Sequence, residues 1–566
     1  MSNLLRLRVV ALAVLALGCS ARIELPVANG PIDPFVNQNA PPDDPVALAC
    51  QQRAVPVQPL RRLSRDQYLN TLTELFGPTL GAQLNAGSTF PATVITAGFA
   101  NDAEANIVNT QQSNDIEDNA ERLAGVILAA PDGYLRGLMP CTLPATITDA
   151  SVDGCIDQFI ATFGANAYRR PITAEETAIV RGLYDAVRST QSATNAWASV
   201  VQFFVQSPAL LYRVERGAAP SETHPDLLTL TDHEMATRLS YLFLDGMPDA
   251  TLRAAAAAGE LRTKEQVEAQ ARRLLQSPAF LTVLTAFHRD WLHLYEAAAG
   301  KDPNLFPFYT PAVQASLARE PEEILRYVLT SQNGSISALL GSDTLPADPV
   351  LGGYYGFPGG AGWRPITTPN RRGLLTRASV MGALAKPTQT SPIHRGNFFR
   401  TSVLCEPTLN LPPNVDTTSP LAAAAGSATA RERLAPLVQR ADCSACHAKI
   451  NPIGLSLENF DAAGQWRETE NGAAIDASGS VDFGRGAESY AGPAELIGKL
   501  AASDKVLDCY STQWFRAGLG RFEAAEDQCS VVTLKDLVKK SGGDLRELLV
   551  SLTQTDAFLY RRPVSP

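Results

Sequence analysis

The sequence predicts a mainly α-helical protein of several modules, whose C-terminal region carries a Cys-x-x-Cys-His motif and a short β-hairpin. Residues 63–76 place apolar side chains at helical spacing and end at a Gly-Pro pair, which stops a helix. Capping-box patterns at 173–176 and 231–234 each precede an apolar run with the same spacing. Strand patterns are few, and the clearest, at 473–483, alternates Gly, Asp and Ser with apolar residues.

The chain length implies several packed modules. Its 566 residues exceed what one ordinary hydrophobic core organises. Proline- and glycine-rich stretches mark the boundaries, and no internal repeat at a fixed period is evident. The predicted segments are a signal peptide with a lipobox-like cleavage site at 1–19, a tether at 20–55, helical modules at 56–130, 154–216 and 226–345, a motif-bearing module at 370–484, and a C-terminal helical module at 485–562.

Composition argues against nucleic acid as a partner. Charged residues make up 19 % of the chain, and the formal net charge is -10. Nucleic-acid binding surfaces carry lysine and arginine stripes interleaved with aromatic residues, and the sequence has no such stripe.

The N-terminus predicts export and lipid anchoring. Arg6 and Arg8 precede an apolar run at 9–17, which is too short for a membrane-spanning helix but suits the core of a signal peptide. The run ends at Cys19 in a pattern that resembles a bacterial lipobox, although Ala16 departs from it and leaves ordinary signal-peptidase cleavage open. By analogy with lipoprotein sorting, a serine after the cysteine favours the outer membrane. The expected location is therefore the cell envelope, with the lipid anchor as the contact with the membrane.

Nine cysteines in an exported chain predict disulfides, because oxidising compartments preserve them. With Cys19 assigned to lipid, eight remain, and these could form four bridges or three bridges and one thiol pair. Six cysteines allow fifteen pairings. The arrangement that favours local pairs is Cys141–Cys155 and Cys509–Cys529, with Cys50–Cys405 by elimination.

The segment Cys443-Ser-Ala-Cys446-His447 is the strongest chemical motif in the chain. Two thiols three positions apart lie on one side of a helical turn and can add across the two vinyl groups of a haem. The following histidine then faces the iron from the same side as proximal ligand. A Cys443–Cys446 disulfide or half of a zinc site are the alternatives, but zinc needs two further ligands and no second Cys/His pair lies nearby. The motif therefore predicts one covalent haem c.

Four residues after the motif are candidates for the haem pocket. The carbonyl of Pro452 could accept the Nδ1–H of His447 and so fix the ring of the ligand. Phe460 and Trp466 could pack on the macrocycle, and Arg467 could pair with a propionate. Each is equally consistent with an ordinary core or surface role.

The sixth iron ligand is left open by the sequence. Neither Met nor His follows His447, so a strong distal ligand must come from upstream, where Met381 and His394 are the nearest candidates. A core position for Met381 and an exposed one for His394 are the competing interpretations. An open iron position would suit an enzyme that binds peroxide or oxygen. His288 and His293 are five residues apart and are assigned to packing.

The motif and its surroundings resemble a known family. The residues after the motif, 451–454, 457–462, 464 and 466–467, are similar to the signature of large secreted cytochrome-c-like proteins, best known from planctomycetes and myxobacteria. The chain has Asn451 where that signature has Asp, and Leu455 where it has Phe. Short phrases in the five modules resemble, in chain order, domains of unknown function 1587, 1595, 1592, 1588 and 1585. The resemblance implies export and a c-type haem, but no substrate or reaction.

These observations lead to a hypothesis of an exported c-type haem protein with a redox role at the cell envelope. That role is either electron transfer or a peroxidase- or oxygenase-like haem oxidoreductase activity, and the redox partner is unknown. The alternative is a haem-free envelope lipoprotein with a structural or binding role, in which Cys443 and Cys446 form a disulfide.

Overall fold

The structure is a computed structural model, and it describes residues 49–50, 54–95, 98–221, 225–294, 300–357, 362–409, 429–441 and 443–563. The predicted signal peptide, the lipidation candidate Cys19 and most of the tether lie outside this range. Among the described helices, none combines the length and the apolar character that crossing a membrane requires.

The N-terminal part of the described chain is a helical assembly around its own core. Ser64 caps the first helix through a capping box with Gln67. The apolar side chains of these helices form one buried cluster, which extends from Leu63 to Leu211 and takes in Tyr241 from the next segment. The helices are Arg65–Phe76 (α1), Pro78–Asn85 (α2), Thr110–Ala129 (α3), Pro131–Leu138 (α4), Asp149–Asp153 (α5), Ile156–Tyr168 (α6), Ala174–Arg188 (α7), Ala193–Gln206 (α8) and Pro208–Leu211 (α9).

The remainder of the chain builds a second, larger core. Its buried cluster draws on all three predicted modules after residue 226 and also contains Phe99, so these modules share one interior rather than folding around separate cores. The helices are Asp232–Phe243 (α10), Ala250–Ala258 (α11), Lys264–Leu274 (α12), Ala279–Trp291 (α13), Pro311–Ser331 (α14), Ile336–Gly341 (α15), Pro349–Tyr354 (α16), Ala378–Ala383 (α17), Pro392–Phe398 (α18), Ala430–Gln439 (α19), Ser444–Ser456 (α20), Pro493–Ala501 (α21), Asp504–Leu519 (α22), Gln528–Lys540 (α23), Leu545–Thr553 (α24) and Asp556–Leu559 (α25).

Strands are short and pair two by two, all antiparallel. The region predicted to hold a hairpin contains two: Thr469–Glu470 pairs with Ala473–Ala474, and Gly479–Asp482 pairs with Ala487–Tyr490. Two other pairs join distant parts of the chain, Arg61–Arg62 with Tyr212–Arg213 and Leu228–Thr229 with Tyr560–Arg561. The strands are Arg61–Arg62 (β1), Tyr212–Arg213 (β2), Leu228–Thr229 (β3), Thr344–Ala347 (β4), Arg364–Thr367 (β5), Thr469–Glu470 (β6), Ala473–Ala474 (β7), Gly479–Asp482 (β8), Ala487–Tyr490 (β9) and Tyr560–Arg561 (β10).

Three disulfides join six of the described cysteines, but only one pair is the predicted one. Cys141–Cys155 forms as expected. The other two bridges are Cys50–Cys529 and Cys405–Cys509, so the predicted Cys509–Cys529 and Cys50–Cys405 pairs are wrong.

Helix geometry explains why Cys509 does not pair with its neighbour in sequence. The salt bridge from Lys539 to Asp508 shows that α22 and α23 run antiparallel. Cys529 starts α23 and therefore lies beside the end of α22, ten residues beyond Cys509. Ten helical residues span about 15 Å, whereas a disulfide needs Cα atoms within about 7 Å.

His288 is a packing residue, as the sequence predicts. Its ring is fully buried, with Nδ1 2.7 Å from the carbonyl oxygen of Leu284 and Nε2 2.9 Å from the hydroxyl of Tyr510. Burial lowers the pKa of His288 to about 4. The folded protein therefore keeps this ring neutral at a pH where an unfolded chain protonates it.

Acidification is expected to destabilise the fold through His288. The unfolded chain takes up a proton as the pH falls below 6.5, while the folded chain resists until about pH 4. The free energy of unfolding therefore falls as the pH drops from 6.5 to about 4, by about 3 kcal/mol in total. Urea unfolding of wild type and His288→Gln across this range measures the effect, and the wild type should show the steeper loss. Equal pH dependence in both proteins would contradict it.

Candidate functional site

Helix α20 carries the three residues of the motif at its N-terminal end. Cys443 is the residue before the helix, and Cys446 and His447 follow in its first turn. All three side chains are half-buried. The structure therefore brings the two sulfurs and the imidazole to one helix end, where each side chain is partly exposed.

Two neighbouring helices, α18 and α19, pack against α20. The contact with α18 is close because glycines face backbone on both sides. A Cβ on Gly396 would overlap the carbonyl oxygen of Ile450, and a Cβ on Gly454 would overlap that of Pro392. The pairing of 396 with 450 and of 392 with 454 makes the two helices antiparallel. Glycine at these positions thus allows the close approach of α18 that holds the motif helix in position.

The imidazole of His447 is oriented by Asn451, one helical turn further along. Nδ1 lies 3.0 Å from the side-chain oxygen Oδ1 of Asn451. An amide oxygen only accepts hydrogen bonds, so the contact fits the tautomer with its proton on Nδ1. Nε2 then keeps its lone pair, which is the form in which histidine binds a metal.

The predicted role of Pro452 is wrong. Its carbonyl accepts hydrogen bonds from the hydroxyls of Ser456 and Tyr490, at 2.6 and 2.9 Å. The physical reason is that α20 continues through Pro452 to Ser456. Helical carbonyls point towards the C-terminus, so this one faces away from His447.

Cys443 and Cys446 take no part in a disulfide, whereas six other described cysteines do. The structure therefore does not form the Cys443–Cys446 bond of the haem-free alternative. Within the described ranges, no group of three or more His, Cys, Asp or Glu side chains is arranged to hold a metal ion.

Phe460 and Trp466 lie together in the turn after α20. Their rings meet edge to face with centroids 5.4 Å apart, and Phe460 is fully buried. The guanidinium of Arg371 stacks on the Phe460 ring at 4.7 Å. Trp466 is half-buried and its Nε1 has no hydrogen-bond partner. Phe460 thus belongs to the core, while Trp466 keeps an unused donor.

Arg467 has partners within the protein. It donates to the backbone and the carboxylate of Glu458 at 3.0 and 3.2 Å. Glu470 lies 3.8 Å from the same guanidinium. The charge of Arg467 is therefore used within the protein, where it stabilises the turn after α20. The contact with a haem propionate that was considered from the sequence is a different role.

Arg395, on α18, ties this turn to the rest of the core. Its side chain is fully buried and donates to the carbonyl oxygens of Leu457, Phe460, Asp461 and Met381, at 2.8–3.1 Å. It also pairs with the buried carboxylate of Glu458 at 3.3 Å. Burial lowers the pKa of Arg395 and raises that of Glu458.

The two candidates for the distal ligand lie in different surroundings. Met381 has no exposed surface and belongs to the large core. His394 is exposed on α18, and it lies between Pro392 and Gly396, which both face α20. A residue two positions from each points to the opposite side of a helix, so His394 faces away from the motif.

Sequence reasoning missed Asn451, Arg395 and the two glycines. The four-residue spacing from His447 to Asn451 was an available signal, because residues at i and i+4 meet on a helix. For Arg395 and the glycines, no local pattern distinguishes their roles from those of surface arginines or turn glycines.

Family models of proteins of unknown function match five segments of the chain. They are DUF1587 at residues 61–129, DUF1595 at 155–215, DUF1592 at 230–357, DUF1588 at 371–470 and DUF1585 at 486–558. The chain carries the five-domain set typical of planctomycete-type cytochrome-c-like proteins. In this five-domain protein, every site residue described above except Tyr490 lies within the DUF1588 segment. Comparison with curated proteins and with solved structures gave no match.

Proposed function

We propose that this protein is an exported redox protein of the cell envelope that carries one haem c. The thiols of Cys443 and Cys446 would hold the haem covalently, and Nε2 of His447 would be the proximal iron ligand. The observation that carries the proposal is the arrangement at the start of α20, where two half-buried cysteines outside the disulfides precede an oriented histidine. The five-domain set supports it.

The residues present fit such a group. Thioether bonds need reduced sulfurs, and the thiols of Cys443 and Cys446 are not in disulfides. Iron coordination by one ring nitrogen is favoured when the other nitrogen is held, and the contact with Asn451 holds Nδ1. A bound haem c would supply an iron that gains and loses one electron. Asn451 would hold the ligand ring, and the glycine contacts between α18 and α20 would keep that helix end in place.

The N-terminal sequence supports the proposed location of the protein in the cell envelope. A signal peptide with acylation at Cys19 would place the protein at the outer membrane, with its folded part on the periplasmic or the surface side. Proline- and asparagine-rich residues after Cys19 suit a tether between the lipid and the folded part.

The first test is a pyridine haemochrome spectrum combined with intact mass, on protein exported from a host that matures c-type cytochromes. The wild type should show a c-type band and the added mass of about one haem. Cys446→Ser should hold haem through a single thioether or lose it. His447→Ala should keep the mass and the pyridine haemochrome band but change the native absorption spectrum. Cys405→Ser is the matched control, because it removes a cysteine of a disulfide and should leave haem attached.

Each outcome discriminates between functions. A low-spin native spectrum would indicate electron transfer, and a high-spin spectrum that shifts with cyanide or peroxide would indicate a haem oxidoreductase. A colourless wild type with a Cys443–Cys446 disulfide would refute the proposal and leave the haem-free lipoprotein.

A further inference from the structure

A cavity of about 70 Å³ lies far from the motif in sequence, where four of the five domains meet. A water-sized group occupies roughly 10–15 Å³ on this measure, so the cavity suits a molecule of about five non-hydrogen atoms. Part of its wall is apolar and aromatic, including Phe99, Phe287 and Trp514. The polar part contains Arg213 and Asp245, which come from different domains.

Arg213 brings a buried positive charge to this wall. The residue is 5 % exposed, and its Nε and Nη2 have no hydrogen-bond partner. Within the described part of the chain it forms no ion pair, because Glu215 is shared by Arg61 and Arg238. Burial lowers the pKa of Arg213 to about 9. A buried guanidinium of this kind is costly unless an anion pairs with it.

The position of the Arg213 guanidinium is fixed by an aromatic ring. It stacks on Tyr241 at 5.4 Å, and Arg169 stacks on the same ring at 5.7 Å. The Tyr241 hydroxyl is in turn 2.8 Å from that of Thr71. The cation is therefore held in place before any ligand arrives.

Asp245 brings the opposite charge to the same cavity. One carboxylate oxygen accepts from the side-chain amide of Gln67 at 2.8 Å. Within the described residues it forms no ion pair. Burial raises the pKa of Asp245 to about 7, the contact with Gln67 and the charge of Arg213 oppose the rise, and Asp66 and Asp290 add to it. Its backbone has a φ of 52°, a left-handed conformation that aspartate and asparagine tolerate better than most residues. A cation beside this carboxylate would lower the cost of its charge.

We propose that this cavity binds a small zwitterion of the α-amino acid class, of about the size of glycine or alanine. The ligand carboxylate would pair with Arg213 and its ammonium group with Asp245, so that one molecule compensates both buried charges. The apolar wall would accept a small side chain. This function is separate from that of the haem motif.

Isothermal titration calorimetry on the full chain tests the inference. Glycine and alanine should bind, whereas acetate and methylammonium, which carry one charge each, should bind at least tenfold more weakly. Asp245→Asn preserves the left-handed backbone and should weaken glycine binding at least tenfold. Arg213→Gln should do the same, and Asp118→Asn, an exposed change outside the cavity wall, should leave binding unchanged.

The unliganded melting temperature shows whether each variant is folded. Binding of acetate as tight as that of glycine would show an anion site and overturn the inference. So would the absence of glycine and alanine binding to wild type, or full binding by a folded Asp245→Asn protein.

Discussion

Replacing Arg395 by methionine is expected to lower the free energy of unfolding by about 3–5 kcal/mol. Methionine leaves the carboxylate of Glu458 buried with Arg467 as its remaining cation. It also removes the buried hydrogen-bond donor that pairs with the carbonyls of Leu457 and Phe460. Unpartnered buried polar groups each cost about 1–3 kcal/mol, so a large loss follows even after partial relaxation.

Denaturant unfolding of the full chain measures this loss. Arg326→Met is the matched control, because Arg326 is half-exposed and pairs with Glu322 and Glu323 on the same helix. Exposed pairs of this kind contribute below about 1 kcal/mol. Equal unfolding midpoints for the Arg395 and Arg326 variants would show that the buried contacts of Arg395 do not stabilise the turn after α20 more than an exposed ion pair does.

Gly454→Ala is expected to destabilise the protein by about 3 kcal/mol, the upper part of the usual range for overpacking. The added methyl group would overlap the carbonyl oxygen of Pro392, and backbone cannot rotate aside as a side chain can. Helices α18 and α20 must then separate, and the motif helix would shift from its packed position. In protein matured with haem, the variant should therefore also attach less of it.

Gly182→Ala is the matched control for this change. Gly182 lies inside α7, and a Cβ built there meets no atom within 4 Å. Alanine at such a position removes the helix penalty of glycine and should stabilise by roughly 0.5–1 kcal/mol. Both substitutions add one methyl group to a helical glycine. Opposite changes in the free energy of unfolding would therefore be due to the close approach of α18 at Gly454. A shift of the same sign in both would contradict the packing argument.

Much of the helical framework could be predicted from local sequence. The predicted capping boxes at Thr173 and Thr231 both form. These features depend on residues within one or two turns of each other, so the information lies in short stretches of chain. The Cys141–Cys155 bridge is predictable for the same reason, because its loop is short.

The disulfides and the partner of His447 show where local reasoning fails. Proximity in sequence suggested Cys509 with Cys529, but the antiparallel packing of α22 and α23 separates them along the helix axis. The carbonyl of Pro452 was the predicted partner of His447, but α20 continues through Pro452 and Asn451 makes the contact instead.

The sequence by itself determined the helical class, the five-domain composition and the residues of the motif, because spacing and residue type encode them locally. Only the tertiary structure decided that the last three modules share one core, that Arg395 and Gly454 hold the motif helix, and that Arg213 and Asp245 face one cavity. These features join residues far apart in the chain. Their energies come from burial and close approach, which depend on the whole packed arrangement and leave no periodic trace in the sequence.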